Sequence, residues 1–227
     1  MTYVMSDIHG FYNKYQEFMQ SVAFSDDDKL YIVGDMIDRG LDGIKIILDA
    51  MSRKNVICLM GNHEYLMLPA LEKLHCASSN TECRCIISEE LAVGNIGQTG
   101  TLTEFCALSE DKRSDVLEYL RSLPLYLSIT VKERNYLLVH AGLPDFDETM
   151  GMEYYTAHEL LFGPHDFFID HFKDTEIIVG HVPTRKLSKT ERNRIFKSHD
   201  TYDLDCGVNS GGQLGALCLD TGEELYF

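Results

Sequence analysis

Basic residues are scarce in this chain: 20 Lys and Arg stand against 36 Asp and Glu, for a formal net charge of -16. That balance excludes a protein that grips nucleic-acid backbones, because such contacts need clustered cations. No apolar run approaches the roughly 20 residues that span a bilayer, and the opening Met1-Thr2-Tyr3-Val4-Met5 leads straight into a polar motif without a signal-peptide pattern. A cytoplasmic protein without membrane association is therefore expected. The seven cysteines form no even-numbered framework, which favours reduced thiols over a disulfide network. Cys76, Cys83 and Cys85 cluster near His75, and the choice there lies between an exposed loop of free thiols and a zinc site. Internal repeats and low-complexity linkers are also missing.

What is present suffices for a folded core. Hydrophobic residues make up 44% of 227 positions and charged residues 25%, well away from the composition of disordered chains, and one domain over residues 1–227 is expected. Short apolar runs at Val4-Met5, Leu30 to Val33, Val56 to Met60, Tyr136 to Val139 and Ile177 to Val179 read as buried strands. Between Gly40 and Arg53, Leu41, Ile44, Ile47, Leu48 and Met51 recur at helical spacing. The first half thus reads β-α-β-α-β, a parallel arrangement that places sites beyond the carboxyl ends of its strands. Residues from about 66 to 122 look helical, a cap broken at Gly94-Asn95-Ile96-Gly97-Gln98-Thr99-Gly100, and hairpin turns are expected at Gly211-Gly212 and Asp220-Thr221-Gly222.

Polar residues follow each apolar run. Asp7-Ile8-His9-Gly10 comes after the first, and alone it is weak, since a single Asp-x-His is common in turns. Gly34-Asp35-Met36-Ile37-Asp38-Arg39-Gly40 follows the second, with Arg39 as a planar fork for phosphate oxygens and a helix N-terminus expected just beyond. Gly61-Asn62-His63-Glu64, His140-Ala141-Gly142 and Gly180-His181 follow the others. Repetition of the same chemistry at successive strand ends is the signal. Oxygen and imidazole ligands without thiolate suit Mn²⁺, Fe²⁺ or Zn²⁺, and a pair of such ions roughly 3.5 to 4 Å apart can drive an in-line displacement at phosphorus.

Taken in order, these motifs resemble the phosphoprotein phosphatase family of calcineurin-like metallophosphoesterases, and in particular its short bacterial and phage serine/threonine phosphatases. The ending Asp203-Leu204-Asp205-Cys206-Gly207 through Gly212 resembles their closing strands. The resemblance implies an α/β fold, a four-layer α-β-β-α sandwich with two divalent metal ions at one edge, Mn²⁺ first, with Fe, Zn or Ni as alternatives. By motif, Asp7 and His9 would bind the first metal, Asp35 would bridge, and Asn62, His140 and His181 would hold the second. Catalysis would rest on His63, which protonates the leaving group, with Asp38 holding its ring, while Arg39 and Asn62 would bind the phosphoryl group. Direct attack by a hydroxide bridging the metals is implied, with no covalent phosphoenzyme, so Cys206 has a structural role.

One departure matters. The family carries a second phosphate-binding Arg in a Leu-Leu-Trp-x-Arg-like segment, where this chain reads Leu160-Leu161-Phe162-Gly163-Pro164-His165-Asp166. His165 or Arg185 could replace it, or phosphate binding is weaker. His75, His158, His171 and His199 lack a strand-end context and are assigned no function. The resemblance favours a serine/threonine protein phosphatase acting on phosphorylated protein or small phosphomonoesters. The alternatives are a symmetrical dinucleoside polyphosphate hydrolase on the same scaffold, or a metal-binding regulatory module slowed by the missing Arg. Oligomeric state is not legible.

Overall fold

The computed structural model describes residues 1–93, 100–188, 190 and 193–227. The glycine-rich break lies outside the described residues except for Gly100. The expected β-α-β-α-β order is present as β1 (Thr2–Met5), α1 (Tyr12–Ser21), β2 (Lys29–Ile32), α2 (Gly43–Ser52) and β3 (Val56–Cys58). These strands pair in parallel, with Met5 opposite Ile32 and Ile32 opposite Cys58. β9 (Gly215–Cys218) and β10 (Glu224–Tyr226) extend this sheet antiparallel on the far side of β1, in the order β10-β9-β1-β2-β3. A second sheet runs β4-β5-β6-β8-β7, built from β4 (Tyr126–Val131), β5 (Arg134–Val139), β6 (Thr175–Val179), β7 (Phe196–Ser198) and β8 (Thr201–Asp203).

Strand periodicity assigns each side chain to a layer. In β1, Tyr3 and Met5 face the helices, while Val4 turns inward to meet Leu138 and Ile178 of the second sheet. In β5 and β6, Leu137, Val139, Ile177 and Val179 face away from the first sheet into an outer core under α7 (Ala157–Phe162). Side chains alternate between faces with a period of two, so a one-residue slip would turn each strand inside out. Helices, two sheets and an outer helical layer make the α/β sandwich that the resemblance implied. Among the described residues, no helix is long and apolar enough to cross a membrane.

The middle segment is a layer on the sheet rather than a cap. α3 (Asn62–Cys76), α4 (Asn80–Val93), α5 (Gly100–Cys106) and α6 (Glu110–Ser122) send Leu71, Leu74, Leu102, Phe105, Val116 and Leu120 into the same core as α1 and α2. Each such fully buried side chain contributes about 1.5–3 kcal/mol. The Asp220-Thr221-Gly222 turn joins β9 to β10 as expected, with Gly222 N–H donating to the Cys218 carbonyl. The Gly211-Gly212 turn is not a hairpin: it lies where the chain leaves β8 in one sheet for β9 in the other. β4, also unforeseen, is an edge strand whose Leu127, Ile129 and Val131 alternate with Ser128 and Thr130.

The outer layer is tied to β8 by a polar chain. His165 is stacked on His171 with ring centroids 4.5 Å apart, and its Nε2 lies 3.0 Å from Thr201 Oγ1. His171 Nδ1 lies 3.1 Å from Asp200 Oδ1. Burial, reinforced by His171, lowers the His165 pKa to about 4. The unfolded chain therefore takes up a proton near pH 6.5 that the folded one refuses, so stability falls as pH drops from about 6.5 towards about 4. Between about pH 7 and about pH 5, His165→Gln should lose about 2 kcal/mol less stability than wild type, at about 1.4 kcal/mol per pH unit. Denaturant titrations at both values test this, and parallel losses would refute it.

Candidate active site

Every expected site residue lies just beyond the end of a strand, in the loop that follows it or, for Asn62 and His63, in the first turn of the next helix, and these segments converge where the two sheets meet. The loops after β1, β2 and β6 carry Asp7, His9, Asp35, Asp38, Arg39 and His181 at positive φ. Left-handed backbone at non-glycine residues is unfavourable, and it persists where surrounding structure holds it. Here the holding bonds are identifiable: His9 N–H donates to Asp35 O (2.9 Å), Gly10 N–H to Met36 O (2.8 Å), and Gly40 N–H to His9 O (2.7 Å). Two glycines allow the closest approaches. A Cβ on Gly180 would stand 2.1 Å from Asp7 Oδ2, and one on Gly61 would stand 2.3 Å from Asp35 Oδ1.

α3 begins earlier than periodicity suggests, so Asn62 and His63 occupy its first turn rather than a loop. Glu64 explains the start. Its fully buried carboxylate accepts backbone N–H bonds from Gly61 (2.9 Å), Asp35 (2.8 Å), Met36 (2.8 Å) and Ile37 (3.1 Å). It thereby caps α3 and clamps the loop after β2 at once. Asp35 Oδ1 accepts a further first-turn N–H, that of His63 (3.0 Å). The helix expected just past Gly40 begins at Gly43, and its Ile44 N–H donates to Glu104 Oε2 (2.9 Å). That N-terminus is thus capped by a carboxylate and is not an anion site.

Ligand atoms face one another at the centre. Asp7, Asp35 and His140 form one group able to hold a metal ion, and His9, Asp35 and His63 form another, with ligand atoms within 4.8 Å in each. Asp35 is common to both. His63 falls among the second group although its motif suggests a proton-transfer role; its Nδ1 is 2.8 Å from Asp38 Oδ2 and its Nε2 3.8 Å from Asp35 Oδ2. His140 Nδ1–H donates to Val33 O (2.8 Å), which leaves the Nε2 lone pair aimed at Asn62 Oδ1 (2.8 Å) and Asp35 Oδ1 (3.4 Å). His181 Nδ1 also reaches Asn62 Oδ1 (3.0 Å). Acceptors pointing at acceptors are repulsive unless a cation lies between them.

Electrostatics lead to the same need. Burial, then Asp205, pushes the Asp7 carboxyl well above its ordinary range, and burial, then Glu64, does so for Asp35. Burial, reinforced by neighbouring imidazoles, lowers His9 to about 3 and His181 to about 4, and drives His140 well below its usual value. Carboxylates driven to keep protons beside imidazoles driven to shed them make a pocket short of positive charge, which divalent cations would supply. The all-oxygen-and-nitrogen donor set fits such ions.

The cleft above this cluster, about 520 Å³, is lined by Asp7, His9, Asp35, Arg39, Asn62, His63 and His181, and also by Lys186, Asp205 and Ser210. Asp205 and Lys186 were not singled out in the sequence. The only signals were the position of Asp205 before Cys206-Gly207 and the basic pair Arg185-Lys186 just beyond His181. Asp205 is buried, and that burial raises its pKa to about 6. Of the groups expected to replace the missing Arg, His165 is packed under Gly142, where a Cβ would meet it at 2.4 Å, and does not line the cleft. Arg185 does not line the cleft itself but is bonded to Ser210, which does. Among the described residues, Arg39 and Lys186 are the cations of the cleft. Cys76 and Cys85 are exposed and Cys83 is buried; all are free thiols, and no metal-holding group among the described residues contains cysteine.

A family model for calcineurin-like phosphoesterases matches residues 2–209. The chain belongs to that family. Similar curated relatives of this phosphoesterase include the symmetrical bis(5'-nucleosyl)-tetraphosphatase of Wigglesworthia glossinidia brevipalpis, 28% identical over 148 residues, 64% of this chain and 46% of that protein. The enzyme of the same name from Pseudomonas fluorescens is 30% identical over 145 residues, 63% of this chain and 43% of that protein. The matched stretch thus spans less than half the length of these relatives. Solved structures with the same fold include one described as a candidate diadenosine tetraphosphatase, with a TM-score of 0.65 and 18% identity, covering 100% of this chain and 92% of the other. A protein serine/threonine phosphatase from Saccharomyces cerevisiae has a TM-score of 0.59 and 15% identity, covering 100% and 79%.

Glu64→Gln replaces one acceptor oxygen by a donor facing buried N–H groups, and should lower stability by about 1–3 kcal/mol in denaturant titration. An unchanged midpoint would remove the clamp from the account. For the metal cluster, Mn²⁺ added to metal-stripped protein should raise Tm at about pH 8 and do so much less at about pH 5, because the ligands must lose protons to bind. Asp35→Asn should forfeit more than half of that gain, and a gain equal to wild type would show that the ion binds elsewhere.

Proposed function

We propose that this phosphoesterase is a metal-dependent hydrolase of dinucleoside polyphosphates, splitting one phosphoanhydride bond so that a tetraphosphate substrate and one water give two nucleoside diphosphates. The position of Asp35 in both ligand groups carries the metal-dependent part of this reading. The substrate class is supported by the shared name of the curated relatives, symmetrical bis(5'-nucleosyl)-tetraphosphatase. It replaces the protein substrate favoured by the motifs alone.

Asp7, His9, Asp35, Asn62, His140 and His181 would hold the ions, whose contribution is Lewis-acid polarisation of the phosphoryl oxygens and of the attacking water. Arg39, with Nε 3.7 Å from Asp38 Oδ2, would grip the phosphoryl oxygens from the cleft rim, with Lys186 as a second point charge. His63 would give its Nε2 proton to the departing oxygen while Asp38, on Nδ1, holds the ring in place.

The His63–Asp38 pair also favours a second reading, a serine/threonine phosphatase, since an alkoxide is a strong base that needs a proton as it leaves. A departing nucleoside diphosphate is a weak base and needs one far less. His63→Asn should therefore lower kcat on a phosphoserine peptide by about 10²–10⁴-fold, but kcat on diadenosine tetraphosphate by a much smaller factor. The deciding measurement compares kcat/KM of the Mn²⁺-loaded protein on these two substrates and p-nitrophenyl phosphate. A higher value for the dinucleotide supports the proposal; a higher value for the peptide replaces it with the second reading.

A further inference from the structure

A second hollow, about 590 Å³, lies beside the cleft and plays no part in the chemistry described so far. The two share a short loop. His181, Pro183 and Lys186 line the cleft, while the intervening Val182 and the following Leu187 line the hollow. On the other side it is reached from Leu143 and Asp145, just after His140. Its volume falls within the range of small-molecule sites.

The walls combine aromatic faces with hydrogen-bond acceptors. Phe146, Phe167 and Phe168 contribute rings, and Phe168 is 63% exposed, so much of its ring is accessible to a ligand in the hollow. Asp145 and Asp166 add carboxylates. His171, which lines the same hollow, has Nδ1 engaged by Asp200, and its buried Nε2 has no hydrogen-bond partner among the described residues. Carboxylates repel phosphate, so this hollow does not take the charged part of a substrate. Aromatic rings with acceptors suit a planar heterocycle that carries N–H donors.

We propose that this hollow binds one nucleobase of the substrate, an amino-bearing base such as adenine, stacked on Phe168, while the attached phosphates lie in the adjoining cleft. The inference rests on the dinucleotide reading for its biological substrate, but the test below does not depend on that reading. AMP and ribose 5-phosphate differ only by the base. As competitive inhibitors of p-nitrophenyl phosphate hydrolysis by the Mn²⁺-loaded protein, AMP should bind about tenfold more tightly, the scale of one base–aromatic stack. Phe168→Ala should abolish that gap by weakening AMP alone, with inhibition by ribose 5-phosphate, which has no ring to stack, left as in wild type.

Equal inhibition by AMP and ribose 5-phosphate in wild type overturns the base site, even if diadenosine tetraphosphate is hydrolysed. A gap that survives in Phe168→Ala overturns it too, as does a variant that weakens only the phosphoserine peptide, which would mark the hollow as a peptide subsite. A gap lost in the variant, together with no turnover of diadenosine tetraphosphate, upholds the base site and rejects the dinucleotide as substrate.

Discussion

Four backbone N–H groups end on the single buried carboxylate of Glu64, and the geometry of the site follows from that convergence. Three of the donors belong to the loop after β2 and the fourth to Gly61, before the first turn of α3. Asp35, Asn62 and His63 are therefore positioned by one charged group that takes no part in the chemistry. A carboxylate with no water around it is held in place only by such donors. The positive-φ residue Asp35 sits in the same clamp, while the turn at Asp38 and Arg39 is held by Asp38 N–H donating to Thr101 Oγ1 and Gly40 N–H donating to His9 O. Glycine at position 61 is the steric counterpart, since the Asp35 carboxylate and Glu64 both occupy the space a Cβ would need.

How much of this could be read from the sequence depended on the range of the interaction. β-branched runs and helical spacing are local, and they placed β1, β2, β3, β5, β6 and α2 within a few residues. The strand-end residues Asp7, His9, Asp35, Asn62, His63, His140 and His181 were found because each follows an apolar run, so strand direction carries them to one edge. β4 escaped because an edge strand of alternating Leu127, Ser128, Ile129 and Thr130 has no continuous apolar run. Lys186 and Asp205 escaped for another reason. Their place in the cleft is set by how the loop after β6 and the end of β8 pack against the first sheet, a relation between segments far apart in the chain. His165 is the converse case: its position suggested a phosphate ligand, but Gly142 leaves room for the ring to pack inward, onto His171 and Thr201.

Charge decides the order in which the cleft can fill. The chain carries a formal net charge of -16, while the substrate proposed for it is a polyanion. Ionic screening over about 8 Å at physiological salt removes most of the distant surface carboxylates from the balance. Within the cleft, the carboxylates of Asp7, Asp35 and Asp205 face the cations of Arg39 and Lys186. Once those acids are ionised the cleft is itself negative, and it repels a polyphosphate at the range where repulsion is strongest. Divalent ions reverse that sign. In the proposed mechanism they are thus needed for the substrate to enter as well as for the bond to break, and metal must bind first.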